Sequence, residues 1–164
     1  MTLENCLEGT PFDFEILGTD IDSCCIGTAR KAVYTTERIK DIPAKTREKY
    51  FLRGKDETDG FVKVKKSLRD RVRFEVHNLN SNRSLPHTGK FDVIFCRNAL
   101  IYFSFETCSK VLAKLQENLE VSSALVLGLS EPIETQKKLV TLRPCFYITE
   151  EMNRLLSKEE EEAS

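Results

Sequence analysis

Two short stretches of continuously apolar sequence constrain the fold of this chain more than any other feature. FDVIFC spans residues 91–96, and SALVLGLS spans residues 123–130. Apolar runs of this length without alternation are expected of parallel strands that are covered on both faces. Between them, Ser104 precedes FETCSKVLAKLQENL, in which apolar residues recur with helical spacing. A strand, a capped helix and a second strand in this order predict a parallel α/β sheet.

The rest of the chain extends the same alternation. Residues 12–22, FDFEILGTDID, begin with alternating apolar residues and end in a polar loop, which predicts a strand. SCCIGTARKAVY (23–34) has the spacing of a helix. We predict further strands at 71–79, RVRFEVHNL, and at 142–149, LRPCFYIT. The predicted fold class is therefore α/β.

Two segments are predicted to stand apart from this pattern. KYFL and FVKVKK flank the turn cluster RGKDETDG (53–60), which predicts an antiparallel hairpin that projects from the main body. The chain ends in SKEEEEAS, where four consecutive glutamates repel one another and disfavour a helix C-terminus. We therefore predict an acidic, solvated tail there.

Composition excludes several classes of function. A length of 164 residues fits one compact domain, and a net charge of −1 gives no general reason to expect nucleic acid or anionic membrane as a partner. No apolar run approaches the ~18 residues of a membrane helix, and no export signal begins the chain. The six cysteines form no C-x-x-C pair and lie far from both histidines, so we predict no metal site.

Without an export signal, the cysteines are expected to be reduced thiols in a cytoplasmic protein. Cys24 and Cys25 are interpreted as small buried hydrophobic residues, and a redox-active pair is the alternative.

Polar side chains follow three of the predicted strands, and these side chains are the candidate site. Asp20 follows FEILGT at the end of the first strand, Asn78 and Leu79 follow VRFEVH, and Arg97 and Asn98 follow FDVIFC. In parallel sheets, ligands bind beyond the carboxyl ends of the strands. An aspartate there suits a ribose diol, an Asn-Leu pair suits an adenine, and an arginine suits a carboxylate. The spacing therefore predicts a nucleoside site.

Each of these residues also has a structural alternative. Asp20 can cap the following helix together with Asp22, Asn78 can satisfy its own loop, and Arg97 can pair with an acidic residue such as Asp92. Spacing alone does not decide between the two interpretations.

The segment FDVIFCRNALIYF, with TDID upstream and LGLSE downstream, strongly resembles the chemotaxis receptor methyltransferases of the CheR type. The resemblance runs from about residue 10 to residue 149. It implies a Rossmann-like methyltransferase sheet over residues 1–149, with an antiparallel β-subdomain inserted at about 49–70 and an acidic C-terminal tail at 150–164. It also implies S-adenosylmethionine as cofactor and S-adenosylhomocysteine as product.

The resemblance assigns a role to each candidate. Asp20 resembles the ribose-binding aspartate, and Asn78 and Leu79 resemble the adenine-side pair. Arg97 and Asn98 resemble the pair that contacts the cofactor near its methionine end.

Three more residues match the family on the methyl-transfer side. Tyr102 resembles the tyrosine that lines the methyl-transfer site, and its alternative is a core aromatic. Arg97 and Tyr102 are thus the catalytic candidates. Ser130 and Glu131 match the SE that follows the family's fifth strand, and loop capping is an equal alternative for them.

The implied reaction is transfer of a methyl group to glutamate side chains of a methyl-accepting chemotaxis receptor. A glutamate is ionised at neutral pH, since its reference pKa is near ~4.3, so no general base and no metal is needed. Catalysis is then mostly alignment of the reacting atoms and exclusion of water. The partners expected are the receptor and the cofactor, with no nucleic acid and no membrane insertion.

The sequence also departs from the family. The family's domain opens with a strand and a glycine- and glutamate-containing loop, the first cofactor motif, preceded by a helical domain, and neither is found here. The absent strand would lie mid-sheet, between the strands at 12–19 and 91–96. Three outcomes are open: a truncated or degenerate gene product, direct pairing of those strands, or a strand borrowed from a partner chain. Truncation or degeneration is favoured.

A local group of basic residues follows the hairpin. Its members are Lys63, Lys65, Lys66, Arg69, Arg71 and Arg73. They form either a solvated surface or a surface that attracts an acidic receptor helix. Three functions remain in competition: the methyltransferase, a non-catalytic receptor- or cofactor-binding scaffold derived from it, and RNA binding. The net charge and the lack of an RNP-like aromatic pattern count against RNA.

Overall fold

The computed structural model describes residues 1–87, 89–129 and 139–162, with the side chain of residue 162 excepted. The chain divides into two compact units, Met1–Asn78 and Leu79–Ser164. The helices are α1 (Thr2–Leu7), α2 (Ser23–Lys31), α3 (Ala44–Tyr50), α4 (Lys66–Arg69), α5 (Phe105–Glu117) and α6 (Glu150–Glu162). None of these helices is both long and apolar enough to cross a membrane.

The first unit contains a pair of parallel strands. These are β1 (Ile16–Asp20) and β5 (Val72–Val76), with α2 following β1 in the chain. The pair is fixed in register from Ile16 opposite Val72 to Asp20 opposite Val76. The predicted strand at 12–22 is thus shorter than expected, because only its second half pairs with a neighbour.

The same unit contains a three-stranded antiparallel sheet. Its strands are β2 (Val33–Thr35), β3 (Phe51–Arg53) and β4 (Phe61–Val64), in the order β2-β4-β3. The predicted hairpin is β3 and β4, but the prediction that the helix continues to residue 34 was wrong. Ala32 adopts a left-handed conformation with φ of 55° that ends α2, and the chain then pairs with β4. Tyr50, Val62 and Leu68 lie in the core of this region.

The second unit is a four-stranded mixed sheet in the order β6-β7-β9-β8. Its strands are β6 (Phe91–Cys96), β7 (Leu119–Leu127), β8 (Leu139–Arg143) and β9 (Phe146–Thr149). Strands β6 and β7 are parallel, as predicted, and β9 runs antiparallel to both β7 and β8. The core is formed by Val111, Leu112 and Leu115 of α5 against Leu125 and Leu127 of β7.

Three predictions about the second unit were wrong. Residues 142–149 are not one strand, because the chain turns between β8 and β9 at Cys145, whose φ is 66°. The four consecutive glutamates were expected to disfavour a helix C-terminus, but α6 extends over them to Glu162. The hydroxyl oxygen of Thr149 accepts a hydrogen bond from the backbone N–H of Met152 at 3.4 Å and so caps the start of α6. Two glutamates in the first turn also suit the helix dipole.

The third wrong prediction concerns β6, which is not covered on both faces. Ile94 and Cys96 face the core cluster, but Val93 is 47% exposed and Phe95 is 71% exposed. The alternation of burial along β6 therefore resembles a strand covered on one face only.

Strands β1 and β6 each have one strand neighbour among the described residues, β5 for β1 and β7 for β6. The N–H of Ile16 donates to the carbonyl of Arg71, and the N–H of His77 donates to the carbonyl of Asp20. Because backbone groups alternate sides along a strand, those of Leu17 and Thr19 point away from β5.

Candidate functional site

Asp20 is the last residue of β1, and its side chain is exposed. Its Oδ1 accepts a hydrogen bond from the backbone N–H of Asp22 at 2.9 Å. Asp22, not Asp20, caps α2, because its Oδ1 accepts from the N–H of Cys24 at 2.7 Å. The other oxygen of Asp20, Oδ2, has no partner within the described ranges. Asp20 therefore shapes the turn with one oxygen and leaves the second for a ligand.

The two cysteines beside this turn are exposed, so the interpretation as buried hydrophobic residues was wrong. The hydrogen bond from the backbone N–H of Cys24 lowers the pKa of Asp22. The Sγ of Cys25 lies 3.3 Å from Oδ2 of Asp22. This hydrogen bond and the aspartate charge raise the pKa of the Cys25 thiol. A raised pKa means less thiolate, which makes Cys25 a poor nucleophile.

Asn78 lies at the same sheet edge as Asp20. The register pairs Asp20 with Val76, and the N–H of His77 donates to the carbonyl of Asp20 at 2.9 Å, so Asn78 follows directly beyond that contact. Asn78 is exposed. A carboxylate and an amide are thus brought together at the carboxyl ends of two adjacent parallel strands, where α/β proteins bind ligands. Leu79 begins the second unit and packs, partly buried, against that unit's core.

Arg97 and Asn98 follow β6 immediately, and both side chains are exposed. The apolar runs on either side of them suggest burial, but only Cys96 and Leu100 are buried. Asn98 has a φ of 59°, in the left-handed region that asparagine tolerates better than most residues. This residue turns the chain out of the strand and leaves the guanidinium and the amide at the strand's carboxyl end.

Tyr102 ends a single 3-10 turn, Leu100–Tyr102. Leu100 anchors this turn in the core, whereas Tyr102 is 80% exposed. The alternative interpretation of Tyr102 as a core aromatic was therefore wrong. Ser130 and Glu131, the other two residues matched to the family, lie outside the described residues.

Arg30 was not singled out from the sequence, yet it joins α2 to β5. Its Nε and Nη2 donate to the carbonyl of Phe74 at 3.0 and 2.6 Å, so it fastens α2 to β5. The only sequence signal is its place in the last turn of α2, where basic residues are favoured by the helix dipole.

At least three of the six basic residues after the hairpin have partners within the unit. Lys65 donates to the carbonyl of Glu48 at 2.8 Å, Lys66 pairs with Asp70, and Arg71 pairs with Asp13. These pairs satisfy much of the positive charge within the unit. They weaken the prediction of a continuous basic surface for an acidic partner.

Each unit thus presents polar groups at the carboxyl ends of its parallel strands. The first unit presents Asp20 and Asn78, and the second presents Arg97, Asn98 and Tyr102. Among the described residues, no cluster of three His, Cys, Asp or Glu side chains is placed to hold a metal ion. Ligands of α/β proteins bind at the carboxyl ends of parallel strands, so the fold and the positions of these groups define the class of ligand-binding α/β proteins.

Comparison with known proteins narrows that class. The family described as CheR methyltransferase, SAM binding domain, matches residues 1–147. The chemotaxis protein methyltransferase of Escherichia coli (strain K12) is 33% identical over 144 residues, which are 87% of this chain and 50% of that protein. The chemotaxis protein methyltransferase of Borreliella burgdorferi is 35% identical over 136 residues, which are 83% of this chain and 47% of that protein.

A third relative, the chemotaxis protein methyltransferase of Vibrio parahaemolyticus, is 38% identical over 119 residues, or 72% of this chain and 42% of that protein. The chain belongs to the CheR methyltransferase family and corresponds to its SAM-binding domain. This confirms the resemblance and the α/β fold class, and it identifies S-adenosylmethionine as the cofactor of the domain. The chain spans about half the length of the curated relatives that it matches.

Proposed function

We propose that this chain serves S-adenosylmethionine-dependent methyl transfer to glutamate side chains of chemotaxis receptors, as a protein-glutamate O-methyltransferase. One observation carries the proposal. Five of the six described residues that the family resemblance assigned are exposed and lie at the end of a parallel strand or in the turn that follows it: Asp20, Asn78, Arg97, Asn98 and Tyr102. The sixth, Leu79, is partly buried. Burial within a core would have argued for structural roles instead.

The proposed binding roles follow from the chemistry of each side chain. The Asp20 carboxylate would accept hydrogen bonds from ribose hydroxyls, and its Oδ2 has no competing protein partner in the described part of the chain. The Asn78 amide would contact the edge of the adenine, with Leu79 against its face. Arg97 and Asn98 would bind the methionine end, where the guanidinium suits a carboxylate.

S-adenosylmethionine, when bound, supplies a methyl group on a sulfonium, which is already an activated leaving group. The receptor glutamate needs no general base, because its carboxylate is ionised at neutral pH. This chain would contribute alignment and exclusion of water. Tyr102 is exposed on its 3-10 turn and would line the methyl-transfer site, while Arg97 would hold the methionine end in place.

Calorimetric titration with S-adenosylmethionine and S-adenosylhomocysteine tests the proposal directly. The Asp20→Asn variant keeps an oxygen that can accept from the N–H of Asp22, so it removes the charge and preserves the turn. We expect it to weaken binding at least about tenfold, since a hydrogen bond to a charged group contributes about 1.5–3 kcal/mol. Lys45→Gln, which removes an exposed charge from α3, should bind like the original chain.

Two results would contradict the proposal. If neither ligand binds at millimolar concentration, this chain by itself does not bind the cofactor, and the scaffold alternative is favoured. If Asp20→Asn binds as tightly as the original chain, the ribose is not at Asp20.

We further propose that a strand from another polypeptide completes the sheet beside β1. Leu17 and Thr19 direct their backbone groups away from β5, and an unpaired strand edge is a template for pairing. Hydrogen exchange tests this: the N–H of Ile16, bonded to the carbonyl of Arg71, should be protected, and those of Leu17 and Thr19 should exchange quickly until the partner is added. Equal protection of all three amides in the isolated chain would contradict the proposal.

We also propose, from the sequence, a methyltransferase domain at 1–149 with a β-subdomain at about 49–70, an acidic C-terminal extension at 150–164, and a cytoplasmic location.

A further inference from the structure

A groove of about 380 Å³ lies within the first unit, between α2, α4 and the outer edge of β5. Its apolar lining comes from Ala29, Val64, Leu68, Val72 and Phe74. Three arginines and one glutamate supply its charged groups: Arg30, Arg69, Arg73 and Glu75. The groove thus combines an apolar lining with excess positive charge, although the whole chain has a net charge of −1.

The charges in the groove are not balanced. Glu75 contacts two of the arginines, since its Oε2 lies 3.4 Å from Nη2 of Arg30 and its Oε1 lies 4.0 Å from Nε of Arg73. Arg69 has no acidic partner in the described part of the chain. Its Nε is buried and has no hydrogen-bond partner there. A buried N–H without an acceptor is unfavourable, so an acceptor supplied by a ligand would stabilise this arrangement.

The geometry also restricts what can enter. An exposed strand edge such as that of β5 usually invites an additional strand. Here Arg30 already donates twice to the carbonyl of Phe74 on β5. This occupies the backbone group that an added strand would need. The occupant that fits is therefore a compact molecule and not an extended peptide.

We propose that this groove binds a small organic oxyanion, a phosphate or carboxylate attached to an apolar body, with Arg69 as the principal anion contact. Its volume falls in the range of small-molecule pockets, about 300–1,000 Å³. Arginine matches both oxyanions through parallel N–H donors. The site is separate from Asp20 and Asn78, and the proposal does not depend on the methyltransferase function.

The test is an NMR titration of the ¹⁵N-labelled full chain, which follows the arginine Nε–Hε signals. The probes are phenyl phosphate, benzoate, inorganic phosphate and a glutamate-rich peptide. We expect phenyl phosphate or benzoate to shift the Arg69 signal at millimolar concentration or below, and to bind more tightly than inorganic phosphate. Whichever of the two organic probes binds more tightly identifies the oxyanion.

Arg69→Gln should weaken binding of the organic probe about tenfold or more. Arg38→Gln removes one exposed arginine from the same unit outside the groove, and it should bind like the original chain. Arg69→Lys keeps the charge and most of the stem, so it serves if the glutamine variant does not fold, and it should also lose affinity because the fork of donors is gone.

Several results would overturn the proposal. The first is no shift of the Arg69 signal with any probe. The second is an equal loss of affinity in Arg69→Gln and Arg38→Gln, which would indicate general electrostatic attraction. Binding of inorganic phosphate as tight as that of both organic probes would refute the role of the apolar lining. Shifts produced only by a glutamate-rich peptide would show that the surface is a protein contact.

Discussion

The close approach of β1 to β5 depends on Gly18, and the substitution Gly18→Ala tests that dependence. A Cβ added at Gly18 would lie 2.8 Å from both Cδ1 and Cε1 of Phe74 on the neighbouring strand. Nonbonded carbon atoms are most favourably separated by about 3.5–4.0 Å. The new methyl group would therefore force the Phe74 ring, or the strand that carries it, to move.

The expected change in the free energy of unfolding for Gly18→Ala follows from two opposing effects. Overpacking of a well-packed site costs about 1–3 kcal/mol. Replacing glycine by alanine also restricts the unfolded chain, which stabilises the protein by about 0.4–1 kcal/mol. We therefore expect Gly18→Ala to lower the free energy of unfolding by about 1–2 kcal/mol. The displaced strand end would also separate Asp20 from Asn78, so affinity for S-adenosylmethionine should fall with stability.

Urea unfolding followed by far-UV circular dichroism measures the change, and Gly27→Ala provides a matched control. A Cβ at Gly27 meets nothing within 4 Å, and Gly27 lies inside α2. Because glycine in a helix is about 0.5–1 kcal/mol less favourable than alanine, Gly27→Ala should be stabilising. The same substitution should thus lower the free energy of unfolding at Gly18 and raise it at Gly27.

A double-mutant cycle with Phe74→Leu identifies the cause. The smaller side chain should relieve the contact, so Gly18→Ala should cost much less in that background. If Gly18→Ala costs the same free energy with Phe74 and with Leu at position 74, the clash is not the cause. If Gly18→Ala is stabilising, the strands are not as close as the structure places them.

Three further predictions concern contacts away from this strand pair. The pKa of Asp22 is lowered in the folded state, so its contribution to folding stability is present above the ordinary carboxyl pKa and is lost as pH falls through the lowered pKa. Asp22→Ala should therefore remove that part of the pH dependence of the free energy of unfolding. An unchanged pH profile in the variant would contradict this prediction. Ser104→Ala removes the acceptor for the N–H of Thr107 and should cost about 1 kcal/mol in urea unfolding; no loss would show that the cap does not matter. Lys114 donates to the carbonyls of Ser81 and Arg83, so Lys114→Met should speed hydrogen exchange in residues 80–87, and unchanged exchange would mean that other contacts hold the loop.

The parts of the fold that the sequence predicted well are those where local and tertiary preferences agree. FDVIFC is apolar apart from Asp92 and forms β6 with the predicted bounds, 91–96. Ser104 has the side chain of a good cap, and α5 begins directly after it. In α5, Val111, Leu112 and Leu115 pack in the core, and in β6 Ile94 and Cys96 pack against the same core, so tertiary packing supports the local pattern in both segments.

The wrong predictions fall where tertiary pairing overrides a local pattern. Val33 continues the helical spacing of α2, but Ala32 takes a left-handed conformation and Val33 pairs with Lys63 of β4. Alanine carries no signal for such a turn, unlike glycine. Cys145 resembles Ala32 in this respect, since it makes the turn between β8 and β9 with a positive φ that its residue type does not predict.

For the candidate site, the sequence predicted position along the chain better than burial. Asp20, Asn78 and Arg97 lie at the strand ends where the pattern placed them. The exposure of a side chain depends on which elements cover its strand, and the neighbouring residues in the sequence do not determine this. The apolar neighbours of Arg97 therefore suggested burial, although its side chain is exposed.

The two proposals about β1 are linked, because Asp20 is the last residue of that strand. A two-stranded sheet is marginally stable by itself, so we expect it to hold Asp20 less firmly than a larger sheet would. Pairing of a further strand with Leu17 and Thr19 would fix β1 on both sides and reduce the ordering cost that a ligand must offset. Cofactor affinity and amide protection at Leu17 should therefore rise together when that strand is supplied. If protection rises and affinity does not, the edge and the ligand site are independent.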